Sequence, residues 1–152
     1  MKSFLQQWLP SKNIISIGLF DYNTAGAQRL TPGSGSICFA GNIEKSPFIY
    51  SLNGIDVNIY GLGFDESKAK ENLHYKGAFD ADTLPSKLEG DFGLVWDGKD
   101  IHQCDPYLKY NNPHKLSLYL AAGIPVIAWD NSAIAKMVLE KNIGITVNSL
   151  AD

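Results

Sequence analysis

Residues 112–127 read Asn-Pro-His-Lys-Leu-Ser-Leu-Tyr-Leu-Ala-Ala-Gly-Ile-Pro-Val-Ile. Asn112 is a favourable N-cap, and Pro113 suits a first helical position because its missing N–H would be unpaired there. Gly123 suits the left-handed residue that commonly ends a helix. The stretch therefore predicts a helix over 113–122 with both ends marked, followed directly by an apolar strand.

On both sides of this helix, short apolar segments alternate with helical ones. Strands that alternate with helices predict right-handed crossovers and a parallel sheet covered on both faces. The predicted fold class is therefore α/β, a Rossmann-like sheet with helices on both faces. Strands are predicted at 37–40, 57–60, 93–96, 125–129 and 145–147, and helices at 44–52, 84–88, 113–122 and 132–141.

The chain divides into three parts by composition. Residues 1–22 form a segment that leads into the domain, with helical spacing over 1–9 and a short β-branched strand over 14–20. Residues 23–36 are rich in Asn, Thr, Gly, Ser and Pro, which predicts a flexible linker. Residues 37–152 contain the strand–helix alternation and form the predicted Rossmann-like domain.

The charge composition limits the kinds of partner. Thirteen basic and sixteen acidic residues give a net charge of −3, and Arg29 is the only arginine. A chain without a basic field does not attract nucleic acid or an anionic membrane. No apolar run is long enough to span a membrane, and the N-terminus lacks the continuous apolar core of a signal peptide.

The two cysteines bear on the compartment. Cys38 and Cys104 are far apart, form no C-x-x-C motif, and occur in a chain without an Asn-x-Ser/Thr sequon. This usage fits a reducing compartment. The sequence therefore predicts a cytoplasmic protein, with any membrane association made through partners.

The helix over 113–122 has an anion-binding end. Its first N–H groups and its macrodipole attract negative charge, and Lys115 adds a full positive charge in the first turn. A lysine there opposes the dipole at a cost of a few tenths to about 1 kcal/mol, so its placement favours an anionic ligand. Lys109 adds a second positive charge nearby. The alternative is an ordinary capped helix with a solvated lysine.

Two glycine turns follow the first two strands of the predicted sheet. Gly41 allows close backbone approach, and Asn42 offers an amide at the start of the next helix. Tyr60 and Gly61 end the second strand, where they could line a nucleobase pocket. Neither turn is a G-x-G-x-x-G motif, so no nicotinamide or flavin cofactor is predicted. The alternative is that both are simple turns.

Three short motifs are discounted. Asp80-Ala-Asp82 has the D-x-D form of a metal–diphosphate site, but a three-residue pattern arises easily by chance. Asp91-Phe-Gly93 resembles the kinase magnesium motif without the loops that give it a role. The three histidines lack zinc-site spacing. No metal site is predicted.

The run over 112–127 resembles the signature of the nucleotide-sugar half of GT-B glycosyltransferases. Other segments are similar to the bacterial subgroup of galactofuranosyltransferases and related glucosyltransferases, and the similarity extends over nearly the whole chain. They are Gly-Leu-Phe-Asp-Tyr at 18–22, Phe-Ala-Gly-Asn-Ile-Glu-Lys-Ser at 39–46, Gly-Leu-Val-Trp-Asp-Gly at 93–98 and Asn-Ile-Gly-Ile-Thr-Val at 142–147.

The resemblance implies the C-terminal, donor-binding half of a two-domain enzyme that works on a UDP-sugar without a cofactor or metal. Its partners would be the UDP-sugar, a glycan or glycoprotein acceptor, and a missing N-terminal domain, so that this domain alone would be inactive. Synthesis of a cell-surface polysaccharide or glycoprotein glycan is the implied role. The donor-binding residues would be Gly41, Asn42, Tyr60, Gly61, Tyr107, Lys109, Asn112, His114 and Lys115.

One position departs from the general family. Many retaining GT-B enzymes carry a ribose-binding glutamate five residues before the helix-ending glycine, and this chain has Leu118 there. No catalytic residue is assigned. Two alternatives stay open: a sugar-nucleotide epimerase-like domain, and a non-catalytic interaction module with Tyr60, Tyr107 and Tyr110 in its contact surface.

Overall fold

A computed structural model describes residues 2–15, 18–24, 33 and 35–151 of the chain. Within this part, four α-helices and six β-strands are joined by turns and short 3-10 helices. The helices are α1 (Lys2–Trp8), α2 (Leu84–Lys87), α3 (His114–Ala121) and α4 (Ala135–Glu140). The strands are β1 (Ser36–Ala40), β2 (Asp56–Tyr60), β3 (Leu73–Gly77), β4 (Phe92–Val95), β5 (Val126–Trp129) and β6 (Gly144–Val147).

The six strands form one parallel sheet in the order β3-β2-β1-β4-β5-β6. The chain winds outward from β1 to one edge and then from β4 to the other, so the strand order reverses between β1 and β4. This is the doubly wound arrangement in which ligands bind at the carboxyl ends of the strands beside the reversal. The predicted α/β, Rossmann-like fold is confirmed.

Alternate residues of the central strands pack on opposite faces of the sheet. Phe39 belongs to one apolar cluster together with Phe48 and Ile49 of the 3-10 helix Pro47–Ser51. Ala40 belongs to a second cluster together with Leu116 of α3 and Val138 of α4. Both faces of the sheet are therefore buried, which explains why β1 has no exposed residue.

Several predicted elements differ from the structure. The helix expected over 44–52 is the five-residue 3-10 helix Pro47–Ser51, and α4 is shorter than the predicted 132–141. The described residues of the strand expected over 14–20 form no strand, and two of them, Gly18 and Phe20, instead contact the side chains of Asn112 and His114 at the beginning of α3. Strand β3 was not predicted.

Part of the predicted linker over 23–36 lies outside the described residues, namely 25–32 and 34. The backbone N–H groups of Gly33 and Gly35 donate to the two carboxylate oxygens of Asp91, at 2.7 and 2.8 Å. Asp91 lies immediately before β4. The end of the linker region is thus hydrogen-bonded to the domain.

None of the helices in the described ranges is both long and apolar enough to cross a membrane.

Candidate functional site

The sheet is incompletely paired at the reversal between β1 and β4. Only two residue pairs join these strands, whereas β1 pairs with β2 at five positions. Further toward the carboxyl ends of β1 and β4, the hydroxyl group of Tyr119 accepts a hydrogen bond from the N–H of Ala40 at 2.9 Å. The same hydroxyl donates a hydrogen bond to the carbonyl of Leu94 at 3.3 Å. A side chain of α3 thus joins the two strands where the crevice opens.

Tyr119 is fully buried, and its position requires a glycine opposite. A Cβ at Gly93 would overlap the Tyr119 ring. Burial raises the pKa of Tyr119 well above its usual value, so the hydroxyl stays neutral and available for both hydrogen bonds. The crevice between β1 and β4 is therefore supported by the Tyr119–Gly93 contact.

Lys115 in the first turn of α3 lies at the mouth of this crevice. Its Nζ is 2.8 Å from Oδ1 of Asp97, 3.3 Å from the carbonyl oxygen of Trp96 and 4.6 Å from the ring centroid of Phe39. A Cβ at Gly41 would be 3.1 Å from Cε of Lys115, so the glycine makes room for the lysine stem. The ammonium group of Lys115 therefore contacts residues at the carboxyl ends of both β1 and β4.

Asp97 is the site residue that the sequence reasoning missed. The signal was an acidic residue just beyond a buried strand, at the edge where parallel strands of this fold bind ligands. Asp97 lies in the segment 93–98 that carried the family resemblance, but nothing in the spacing indicated that it would reach Lys115.

A cavity of about 390 Å³ adjoins Lys115 through Gly41. Gly61 has a φ of 133°, and a Cβ there would overlap the carbonyl oxygen of Gly41, so the two turns touch and only glycine fits. The hydroxyl of buried Tyr60 accepts a hydrogen bond from the N–H of Glu89, so Tyr60 is a fixed wall. The lining residues are Gly41, Asn42, Tyr60, Gly61, Leu62, Ala78, Phe79 and Leu84.

Asn42 has a local role as well. Its Oδ1 accepts a hydrogen bond from the N–H of Lys45 at 3.1 Å, which stabilises the turn after β1. The structure thus brings together five of the nine predicted donor-binding residues at the carboxyl ends of the central strands. They are Gly41, Asn42, Tyr60 and Gly61, which line the cavity, and Lys115, which lies beside Gly41.

The segment 18–22 crosses the beginning of α3. The Nδ2 of Asn112 donates to the carbonyl of Gly18, and the ring of Phe20 stacks on His114 with centroids 4.6 Å apart. The Tyr22 hydroxyl donates to the carbonyl of Ala81 at 3.0 Å. The side chains of Asn112 and His114 therefore contact segment 18–22, not the cavity.

The predicted cap of α3 is shifted by one residue. Pro113 is the N-cap residue, in extended conformation, and Asn112 makes no side-chain cap. The reason is that the Asn112 amide bonds to Gly18, while its Oδ1 is buried without a hydrogen-bond partner. The other end is as predicted, since Gly123 has a φ of 75°.

Tyr107 and Lys109 lie on a separate turn, the 3-10 helix Pro106–Lys109. Tyr107 is exposed, and the Nζ of Lys109 is 5.4 Å from the ring centroid of Trp129 at the end of β5. Neither residue lines the cavity.

The residues that were discounted have structural roles. The carboxylate of Asp80 accepts hydrogen bonds from the N–H and hydroxyl of Thr83, both at 2.9 Å. Leu118, at the position of the missing glutamate, is buried in the apolar cluster of α3. Among the residues that the structure describes, no three His, Cys, Asp or Glu side chains group closely enough to hold a metal ion.

The fold defines a doubly wound, Rossmann-like α/β domain, and sequence comparison gives its family. The model of the glucosyltransferase 3-like C-terminal domain matches residues 37–152. The chain belongs to this family.

Curated relatives agree with the family match. The chain is 34% identical over 164 residues to beta-1,6-galactofuranosyltransferase WbbI of Escherichia coli K12, covering all of this chain and 48% of that protein. It is 33% identical over 117 residues to glucosyltransferase 3 of Streptococcus gordonii, covering 75% of this chain and 35% of that protein. The chain thus spans between about a third and a half of these relatives. Their names favour the glycosyltransferase expectation over the epimerase and interaction-module alternatives.

Proposed function

We propose that this chain is the donor-binding domain of a UDP-sugar-dependent glycosyltransferase, a galactofuranosyl- or glucosyltransferase. The observation that carries the proposal is the position of Lys115, at the reversal of strand order and beside an open cavity at the carboxyl ends of the strands. The names of the curated relatives support hexosyl transfer by the longer protein.

The donor would lie across the carboxyl ends of β1, β2 and β4. The diphosphate would bind at the beginning of α3, where Lys115 and the positive end of the helix dipole supply positive charge. The base would enter the cavity lined by Gly61 and Phe79, which has apolar walls and room for a planar ring. Gly41 borders both places, so one ligand could occupy them together.

Such a site would promote transfer by stabilising the leaving group. Negative charge grows on the diphosphate as the sugar–oxygen bond breaks, and a positioned cation there lowers the barrier. In this proposal Lys115 and the α3 dipole supply that charge without a metal ion. The acceptor, a glycan or glycoprotein, and a preceding domain would complete the site in the longer protein, whose product would be a cell-surface polysaccharide or glycoprotein glycan.

Thermal melting of the chain with UDP, ADP or no nucleotide tests the proposal. A ligand at about 100 times its Kd adds roughly 2.7 kcal/mol of stability. We expect UDP to raise the Tm more than ADP, and Lys115→Ala to abolish the increase. Lys136→Ala is the matched control, because Lys136 is an exposed lysine of α4 paired with Glu140.

A UDP-dependent increase in Tm that survives Lys115→Ala would contradict the proposed site. No increase with any nucleotide at millimolar concentration, in this chain and in the longer protein, would contradict the proposed function.

A further inference from the structure

The positive charge of Lys115 already has a carboxylate partner within the chain. Its ammonium group contacts the carboxylate of Asp97, the carbonyl oxygen of Trp96 and the face of the Phe39 ring. All three are negatively polarised groups. An incoming diphosphate would therefore have to share or replace a carboxylate partner 2.8 Å away.

The backbone holds Asp97 in this position. Its carbonyl oxygen accepts a hydrogen bond from the N–H of Asp105 at 2.8 Å, which closes the loop after β4. The Asp97 side chain is 38% exposed and that of Lys115 is 18% exposed, so the carboxylate is the more accessible partner of the pair. A phosphate that approached Lys115 would also approach Asp97, and like charges at such distances repel.

We propose that Asp97 competes with the diphosphate for Lys115, and thereby weakens the binding of UDP and speeds its release. This inference rests on the proposed function and adds a residue that sets affinity at the same site. The terminal phosphate of UDP has a second ionisable oxygen that a UDP-sugar lacks, because the sugar esterifies that oxygen, so UDP carries up to one more negative charge. The repulsion from Asp97 therefore acts more strongly on the product than on the donor.

The test is UDP binding to the chain, measured by calorimetry for Kd and by stopped-flow displacement for the dissociation rate. We expect Asp97→Asn to lower the Kd of UDP about fivefold, chiefly through slower dissociation. A fivefold change in Kd corresponds to about one charge–charge interaction across a few ångströms of water. Asp97→Ser is a second variant without the charge, and each variant is first melted without nucleotide to check folding.

One control variant isolates the cause. Glu140→Gln also converts a lysine-paired carboxylate to an amide, on the exposed surface of α4, and should leave the Kd unchanged.

An equal or higher Kd in both Asp97 variants, when the wild-type chain binds UDP through Lys115, would overturn this inference and leave the proposed function intact. A wild-type chain that binds no UDP would overturn both.

Discussion

The ring of Tyr119 lies against Gly93, so close that a Cβ on Gly93 would overlap it. This contact lets an α3 side chain reach between β1 and β4 and bond to both strands. The crevice at the strand-order reversal therefore depends on one residue without a side chain and one with a buried hydroxyl.

Gly93→Ala should destabilise the domain by about 2 to 3 kcal/mol, because the methyl group has no room beside the ring. Urea unfolding measures the change in the free energy of unfolding. Gly123→Ala is the control: nothing lies within 4 Å of a Cβ there, and only the left-handed backbone should make it unfavourable, by about 1 kcal/mol. Equal losses in the two variants would contradict the packing account.

Tyr119→Phe should cost about 1 to 3 kcal/mol of stability, because the buried N–H of Ala40 loses its acceptor. Hydrogen exchange provides a local readout, since the Ala40 amide should exchange faster in the variant than in the wild type. The Phe39 amide is in the same strand and serves as the internal reference. Unchanged protection at Ala40 would mean that another acceptor takes the place of the hydroxyl.

The domain should lose stability at alkaline pH. Burial raises the pKa of the Cys38 thiol to about 12 and that of Cys104 to about 11. The fold thus favours the protonated thiols, so their contribution is complete below about pH 8.5, where unfolded cysteine titrates, and falls as the pH rises toward 11 and 12.

Urea unfolding under reducing conditions at several pH values from 7 to 11 measures this loss. Cys38→Ala should give a shallower fall in the free energy of unfolding above pH 9 than the wild type, whatever its stability at pH 7. Parallel curves for the two proteins would show that Cys38 does not contribute to the alkaline loss.

Phe79→Ala should weaken UDP binding about tenfold, if the cavity holds the base, because stacking of a base on an aromatic ring is worth about 1 to 3 kcal/mol. Binding of inorganic diphosphate, which has no base, should not change. Trp8→Ala removes an exposed aromatic residue from α1 and is the control. Calorimetry with both ligands makes the comparison, and equal losses for UDP and diphosphate would contradict this placement of the base.

The sequence predicts the central elements well and the peripheral ones poorly. Strands β1, β4 and β5 are buried on both faces, so their sequences are apolar runs, which are recognisable between the helical segments. Strand β3 is an edge strand in which only Leu73 is buried, and its sequence Leu-His-Tyr-Lys-Gly carries no apolar run. Segment 14–20 has the opposite character, since its isoleucines suggest a strand but no sheet edge pairs with its described residues.

The residues of the candidate site were also predictable only in part. Gly41, Gly61 and Lys115 follow from strand ends and a helix start, positions that the fold class brings together. The partner of Lys115 could not be predicted, because the Asp97 contact joins two segments whose side-chain directions only the tertiary structure fixes. Contacts of Asn112 and His114 with segment 18–22 were missed for the same reason.

The proposed function depends most directly on UDP binding at the carboxyl edge of β1, β2 and β4. Backbone amide NMR spectra of the chain during a UDP titration test it residue by residue. We predict shifts concentrated at Gly41, Gly61 and Lys115, with Gly54 and Gly90 at the opposite edge of the sheet unmoved. Shifts centred on Gly54 and Gly90, or none up to millimolar UDP, would contradict the account.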